Sequence, residues 1–277
     1  MVIKEVFKEG VSFLGNSLNA SLDAEVLLQY VLKQPKEYLI AHDDEDITKD
    51  LIDDYFNLLL ELKSGKPVAY VVNNKGFYGR DFYVDEKVLI PRPETEMLVD
   101  KVKKICSIDT RIYKILDVGT GCGNIAISLA NELRNLEIDG VDISKEALVV
   151  AQKNIKQIGS VCDVNFFKSD LLDGIDFVYD LVVCNLPYIG KAEFGYVEEN
   201  VKKFEPNLAL FSGDDGLGQY RRLFEQIKTL KNKPKLIIGE YGFKQQEELI
   251  KKFVKDFGEV SFYNDLGGNP RMFVVKL

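Results

Sequence analysis

The sequence predicts an α/β protein in which a mostly parallel sheet is covered by helices and preceded by a small all-helical domain. Two observations lead to this fold class. Apolar residues recur at helical spacing through residues 1 to about 72. From residue 113 onwards, short apolar runs alternate with segments of helical periodicity. That alternation is typical of parallel strands connected by helices.

The first predicted domain covers residues 1–72. Its helical segments are 2–14, 22–31 and 51–62, with an acidic connection at 43–50. The domain has no glycine-rich loop and no cluster of catalytic residue types, which indicates a substrate-recognition module or a cap. His42 is the only histidine of the chain. Because no second histidine exists to complete a metal or Ser-His site, we interpret it as structural or exposed.

Residues 73–90 are predicted to form a β-hairpin that links the two domains. Two runs with strand character, FYGRDFYV and KVLI, are punctuated by Gly76 and Gly79. The segment PRPETE follows, and its two prolines favour an extended loop. Pro93, with the acids behind it, suits the first turn of a helix over 97–105.

The second and larger domain is predicted over residues 91–277. Its predicted strands are 113–118, 137–141, 163–167, 180–184, 235–238, 259–263 and 271–276. Its later predicted helices are 124–133, 145–158, 219–230 and 245–257. Residues 189–218 form a long irregular segment. A loop of that length in a compact domain is usually functional.

Composition and charge exclude several classes of protein. Hydrophobic residues are 46% and charged residues 29% of the 277 residues, as in ordinary globular proteins. The formal net charge of −8 argues against broad binding to nucleic acid, so no direct nucleic-acid partner is expected. The N-terminal residues have the pattern of neither a signal nor a transit peptide, and no apolar run approaches the ~20 residues that span a bilayer. We expect a cytoplasmic monomer that does not bind membranes.

The cysteines indicate neither disulfides nor a metal site. There are four of them, Cys106, Cys122, Cys162 and Cys184. They form no Cys-x-x-Cys pair and have no histidine at metal-ligand spacing. This pattern predicts reduced cytosolic thiols and no bound metal.

A glycine-rich turn follows the first strand of the larger domain: Asp117-Val118-Gly119-Thr120-Gly121-Cys122-Gly123. A dinucleotide fingerprint would have a glycine where Asn124 stands, so a nicotinamide or flavin enzyme is disfavoured. Asp117 suits the cationic amino-acid end of S-adenosylmethionine, Asp142 a ribose and Asp170 an adenine amino group. The alternative interpretation is a tight strand-to-helix turn with routine acids at the strand ends.

Asn185-Leu186-Pro187-Tyr188 ends the fourth predicted strand. The Asn185 side-chain carbonyl and the Leu186 backbone carbonyl are two acceptors that could bind both N–H groups of a planar NH2 group. Pro187 stiffens the turn, and Tyr188 offers a flat face on which the planar group stacks. Beside S-adenosylmethionine, these residues fit methyl transfer to such a nitrogen. The alternative is a strand-to-loop junction with a chance asparagine.

Six motifs together resemble one known family. They are IPRPETE, LDVGTGCGNIAISLA, VDIS, NLPYI, FEPNLALFSGDDGLGQY and DLGGNPR. Over nearly the whole chain, and most weakly in residues 1–65, the sequence is similar to the HemK/PrmC family of protein-(glutamine-N5) methyltransferases. The resemblance implies a class I S-adenosylmethionine-dependent methyltransferase domain with a mostly parallel, seven-stranded, Rossmann-like sheet. It also implies a substrate, the glutamine of the Gly-Gly-Gln motif in class 1 peptide-chain release factors, and so a role in translation termination.

The resemblance assigns roles to residues of this chain. The cofactor's methionine part would contact Gly119, Thr120, Gly121, Cys122 and Gly123. Its ribose would bind Asp142, and its adenine would lie between Asp170 and Leu171. The substrate amide would be held by Asn185, Leu186, Pro187 and Tyr188, with Asn185 also near the cofactor. Thr95 would close one wall of the cofactor pocket.

Two positions depart from the family pattern. Leu186 stands where the family usually has a first proline, and it should preserve the backbone contact with a less rigid turn. Leu171 stands near a position that is aromatic in some relatives, which weakens stacking on adenine.

The sequence leaves two alternatives to a glutamine methyltransferase. Asn-Leu-Pro-Tyr is typical of ribosomal RNA adenine N6-dimethyltransferases. However, about 116 residues precede the cofactor loop, the PRPETE turn is present and the net charge is −8, all of which oppose an RNA substrate. The other alternative is a non-catalytic adaptor with a methyltransferase fold. The intact acids, glycines and Asn-x-Pro-Tyr oppose it.

Overall fold

The computed structural model describes residues 1–15, 17–176 and 178–277. The chain divides into two compact units, Met1–Asn73 and Asn74–Leu277. Helices of the first unit are α1 (Ile3–Leu14), α2 (Ala20–Leu32), α3 (Lys36–Ala41), α4 (Lys49–Lys63) and α5 (Val68–Val71). The helical character predicted for these residues is therefore confirmed, with two short helices in addition to the three long ones.

One close contact shows how the helices of the first unit pack. The fully buried Tyr55 of α4 donates a hydrogen bond to the Ala24 carbonyl at 3.1 Å. A Cβ atom on Gly10 of α1 would lie 2.0 Å from the Tyr55 hydroxyl. Glycine in mid-helix is unfavourable by itself, so this position is explained by the tyrosine that passes over it.

The second unit begins with a hairpin of two short strands. These are β1 (Lys75–Phe77) and β2 (Arg80–Phe82), which pair antiparallel. The strand character predicted for 87–90 is wrong. Pro91 follows at once, and the Ile90 backbone N–H donates at 3.1 Å to the buried carboxylate of Glu205, where a strand would need a neighbouring carbonyl.

A seven-stranded sheet forms the core of the second unit. Its strands are β3 (Lys114–Val118), β4 (Glu137–Asp142), β5 (Asp163–Lys168), β6 (Leu181–Cys184), β7 (Leu236–Glu240), β8 (Glu259–Asn264) and β9 (Pro270–Lys276). Their order is β5-β4-β3-β6-β7-β9-β8. The first five are parallel, and β9 runs antiparallel to both β7 and β8. The predicted alternation of strands and helices is confirmed.

The helices of the second unit connect these strands. They are α6 (Glu96–Ile108), α7 (Asn124–Glu132), α8 (Lys145–Ile158), α9 (Glu199–Phe204), α10 (Asn207–Leu210), α11 (Gly218–Thr229) and α12 (Gln245–Val254). The segment 189–218, predicted to be irregular, contains α9, α10 and a 3-10 turn at Phe194–Tyr196. Helices this short show no periodic apolar face that a sequence could reveal.

The order of the sheet places a crevice at its carboxyl edge. The chain passes from β3 to β4 on one side and later returns to β6 on the other side of β3. Val118 pairs with Cys184, so the loop after β3 and the residues after β6 start side by side. Ligands of open α/β sheets bind where the strand order reverses in this way. Among the described residues, no helix is long and apolar enough to cross a membrane.

Candidate functional site

A cleft lies at the carboxyl ends of β3, β4 and β6, within the second unit. Of the residues that the sequence singles out, the cleft is lined by Thr95, Gly119, Thr120, Gly121, Cys122, Asp142, Asp170, Leu171, Asn185, Leu186 and Pro187. Gly123 and Tyr188 are not among its lining residues. Further lining residues come from segments 87–92 and 206–209. The structure thus brings together positions that are distant in the chain, such as Thr95 and Asn185, which are 90 residues apart.

The glycine-rich loop turns sharply to join β3 to α7. Gly119, Gly121 and Gly123 have φ angles of 77°, 57° and 82°, a region that other L-residues rarely adopt. The backbone N–H groups of Gly119 and Thr120 both donate to the Val141 carbonyl, at 2.8 and 2.9 Å. A Cβ atom on Gly123 would lie 3.0 Å from the side chains beneath it. Because Gly123 has no side chain, the loop can pack closely against Ile127 and Phe166. Gly119 and Gly121 line the cleft.

Asp117 supports the loop from below and does not line the cleft. It is fully buried, and one carboxyl oxygen accepts from the Thr120 hydroxyl at 2.7 Å and from the Ala126 N–H at 3.3 Å. Burial raises the pKa of Asp117 to about 7. The sequence analysis predicts that Asp117 faces a cationic ligand in the cleft. In the structure, Asp117 is instead buried behind the loop.

Asp142 holds the backbone on both sides of it and also lines the cleft with its carboxylate. Its two carboxyl oxygens accept from the backbone N–H groups of Gly121 and Ser144, each at 2.9 Å. Burial raises the pKa of Asp142 above its ordinary value. A carboxylate has about four lone-pair positions, so each oxygen can accept one more hydrogen bond. This acceptor pair at the edge of the cleft fits the two hydroxyls of a ribose.

The far wall of the cleft is mostly apolar. Leu171 is buried with a φ angle of 56°, and it packs into the main hydrophobic core. Asp170 lines the cleft, but its carboxylate also accepts from Arg222 at 2.8 Å. Ile143, which the sequence reading missed, lines the cleft and is 41% exposed. Ile143 and Leu171 thus contribute apolar side chains to the lining of the cleft.

Asn185 directly follows β6, and a hydrogen bond from its side-chain amide nitrogen holds the side chain in place. This nitrogen donates to the Thr95 hydroxyl oxygen at 3.1 Å. Among the described residues, no group donates a hydrogen bond to the Asn185 side-chain oxygen or to the Leu186 carbonyl. The Leu186 side chain is 3% exposed and lies under the glycine-rich loop. Two carbonyl oxygens are therefore left without a protein donor at the end of this strand.

Glu240 is a second residue near this site that the sequence did not single out. It ends β7, is 1% exposed and accepts from the hydroxyls of Thr95 and Tyr188, at 2.7 and 3.0 Å. Burial raises the pKa of Glu240, while both hydroxyls and the nearby Arg271 oppose that shift. The only feature of the sequence that could have indicated Glu240 is its position directly after the apolar run LIIG, near the end of a predicted strand.

Comparison with known proteins places this fold and site in a family. Residues 93–203 match the family model "Methyltransferase small domain", and residues 5–72 match "PrmC N-terminal domain". A release factor glutamine methyltransferase of Bacillus subtilis is 36% identical, over 97% of this chain and 96% of its own length. One of Koribacter versatilis is 34% identical, over 99% of this chain and 98% of its own length.

The chain belongs to the release factor glutamine methyltransferase family.

Family membership confirms the predicted enzyme class, an S-adenosylmethionine-dependent methyltransferase. Solved structures agree on the fold. The catalytic domain of hMettl16 in complex with MAT2A 3′UTR hairpin 6 matches with a TM-score of 0.59, covering 72% of this chain and 76% of that one. At 15% sequence identity, this likeness concerns the fold alone.

Proposed function

We propose that the chain transfers a methyl group from S-adenosylmethionine to the side-chain nitrogen N5 of the glutamine in the Gly-Gly-Gln motif of class 1 peptide-chain release factors. One observation carries this proposal. The side-chain oxygen of Asn185 and the carbonyl of Leu186 are two acceptors to which no described residue donates, and both residues line the cleft beside the glycine-rich loop. Two such acceptors match the two N–H groups of a primary amide.

The chain's contribution to the reaction is positioning and polarisation. A primary amide nitrogen is a weak nucleophile because its lone pair is delocalised. When Asn185 and Leu186 accept both of its N–H groups, the nitrogen gains electron density and its position is fixed. S-adenosylmethionine supplies an electrophilic methyl group on a sulfonium. The nitrogen loses one of its two protons to solvent after the methyl group has been transferred, so no group with a tuned pKa is required to take a proton beforehand.

The residues of the cleft fit the parts of S-adenosylmethionine. Asp142 offers two acceptors for the ribose, and Ile143 and Leu171 offer apolar faces for the adenine. Gly119 and Gly121 bring bare backbone to the cleft, where the methionine part would lie.

A release factor as substrate is supported by the relatives and by the charge. The relatives named release factor glutamine methyltransferase match this chain in both units. The net charge of −8 suits a protein partner better than an RNA surface. We further propose that the helical unit recognises the substrate protein and that the enzyme works as a monomer without direct contact to nucleic acid.

The test is a transfer assay with labelled S-adenosylmethionine. We expect the wild type to label a class 1 release factor, but neither a release factor whose Gly-Gly-Gln glutamine is replaced by alanine nor ribosomal RNA. Asn185→Ala should lower transfer by about 100-fold or more, with cofactor affinity nearly unchanged, because the substrate amide loses an acceptor. The exposed Asn232 provides a control, and Asn232→Ala should behave as wild type. Label on RNA, or full activity of Asn185→Ala, would contradict the proposal.

A further inference from the structure

A chain of hydrogen bonds, buried at its centre, links the end of β6 to Glu240. The Asn185 amide nitrogen donates to the Thr95 hydroxyl oxygen at 3.1 Å. The Thr95 hydroxyl donates to one oxygen of Glu240 at 2.7 Å. The other Glu240 oxygen accepts from the Tyr188 hydroxyl at 3.0 Å. Thr95 and Glu240 are each 1% exposed, so water does not compete freely for these groups.

The direction of each bond follows from the chemistry of Glu240. The Thr95 hydroxyl donates its single proton to Glu240, whose carboxylate, when ionised, can only accept hydrogen bonds. The Thr95 oxygen is then left only with lone pairs. Asn185 must therefore present its NH2 group to Thr95, because two facing oxygens would repel each other.

This constraint decides which atom of Asn185 is left for a substrate. The side-chain amide has an oxygen on one side and an NH2 group on the other. With the NH2 group turned to Thr95, the oxygen is the atom available in the cleft. In the reverse orientation the NH2 group would meet the N–H of a substrate amide, and two donors would face each other.

We propose that Thr95 and Glu240 are positioning residues that hold the Asn185 amide in the orientation in which its oxygen accepts from the substrate. The inference rests on the proposed function. Glu240 acts on both ends of the motif, since it accepts from Tyr188 directly and orients Asn185 through Thr95. Neither Thr95 nor Glu240 needs to touch the reacting nitrogen.

Two substitutions change the polarity of this chain of bonds without a large change in shape. Thr95→Val replaces the hydroxyl by a methyl group and leaves the Asn185 amide without its acceptor. Glu240→Gln introduces a donor, which can point at the Thr95 oxygen and drive the Thr95 proton toward Asn185. That outcome favours the reversed Asn185 amide. Thr95→Ser keeps the hydroxyl and is the conservative rescue.

The test measures kcat, KM and cofactor Kd for these variants with an intact release factor. We expect Thr95→Val and Glu240→Gln to lower kcat by about 10-fold or more. Their cofactor Kd and their KM for the release factor should stay within about threefold of wild type. Thr95→Ser should keep a clearly larger share of kcat than Thr95→Val. Matched controls are Thr229→Val and Glu225→Gln on the exposed side of α11, which should behave as wild type.

A second readout does not depend on activity. The side-chain NH2 group of Asn185 gives a pair of signals in a ¹⁵N–¹H spectrum, assigned by their loss in Asn185→Asp. We expect this pair to shift in Thr95→Val and Glu240→Gln and to stay near its wild-type position in Thr95→Ser. If Glu240→Gln does not fold, the two Thr95 variants decide the question.

Several outcomes would overturn the inference. One is a Thr95→Val enzyme with wild-type kcat, and another is Thr95→Ser as impaired as Thr95→Val. A third is a loss seen only in cofactor Kd, which would make Thr95 merely a wall of the cofactor pocket. Failure of the proposed function is distinguishable, because then the wild type itself would not label the release factor, while the Asn185 signals would still report the orientation of its amide.

Discussion

At the scale of single residues, Asp142 both holds the backbone around the cleft in place and supplies hydrogen-bond acceptors for a ligand. Its oxygens accept from Gly121 and Ser144, which fixes the middle of the glycine-rich loop relative to the end of β4. The remaining lone pairs are available to a ligand. A neutral amide at this position would face one of the two backbone N–H groups with a donor, so both functions depend on the carboxylate.

We therefore expect Asp142→Asn to weaken S-adenosylmethionine binding by roughly 1–3 kcal/mol, or about 5- to 150-fold in Kd. Because burial raises the pKa of Asp142, its carboxyl takes up a proton at a higher pH than an exposed aspartate. Wild-type affinity should therefore fall on acidification, and the variant should show less of this fall. Calorimetric titration measures both, with the exposed Asp163→Asn as control. An unchanged Kd in Asp142→Asn would mean that the ribose assignment is wrong.

At the scale of elements, the segment before α11 packs directly on the backbone after β6. Gly216 has a φ angle of 77°, and a Cβ atom there would lie 2.0 Å from the Tyr188 carbonyl oxygen. The buried side chain of Gln246 in α12 donates to the same carbonyl at 2.8 Å and to the Asp215 carbonyl at 3.2 Å. Three separate segments thus meet at Tyr188, which makes the position of the turn at 185–188 depend on their packing.

Gly216→Ala should lower the free energy of unfolding by about 2–4 kcal/mol, through a steric clash and an unfavourable φ angle. It should also lower kcat, because the backbone at Tyr188 must move. Urea denaturation checks the first effect and the transfer assay checks the second. Gly195 is a matched control, since a Cβ atom there meets nothing within 4 Å and its φ angle is not positive. Equal stability of the two variants would argue against the close packing at Gly216.

At the scale of the whole molecule, the cleft and the helical unit belong to different parts of the chain. Every residue that lines the cleft lies in the unit Asn74–Leu277. The unit Met1–Asn73 has its own buried core, which includes Val6, Leu27 and Tyr55. Two separate cores predict that the units fold independently.

Deletion of residues 1–73 should leave a folded fragment that binds S-adenosylmethionine with a Kd within about threefold of the full chain. The same fragment should lose most activity on an intact release factor, because the proposed recognition unit is gone. Calorimetry and the transfer assay measure the two properties. A short Gly-Gly-Gln peptide is the control substrate, on which fragment and full chain should be equally active. Full activity of the fragment on the release factor would show that the helical unit does not recognise the substrate.

Local patterns predicted much of this architecture. The helix over 145–158 and the start of the helix at 124 were predicted to the residue, because strong apolar periodicity and a preceding turn mark them. Two predictions were wrong, namely a strand over 87–90 and an irregular segment over 189–218. In the first case a remote carboxylate, Glu205, takes the Ile90 backbone N–H, and in the second the helices are too short to show a period.

The sequence by itself determined the fold class, the glycine-rich loop and the acceptor-bearing turn at 185–188, because periodic patterns encode the first and motifs of neighbouring residues encode the other two. Only the tertiary structure decided how the turn is held. Thr95 and Glu240 are 145 residues apart, and their hydrogen bond exists because the loop before α6 and the end of β7 meet at one edge of the sheet. A hydrogen bond between such distant residues leaves no periodic or local mark in a sequence, so the orientation of Asn185 could be read only from the folded chain.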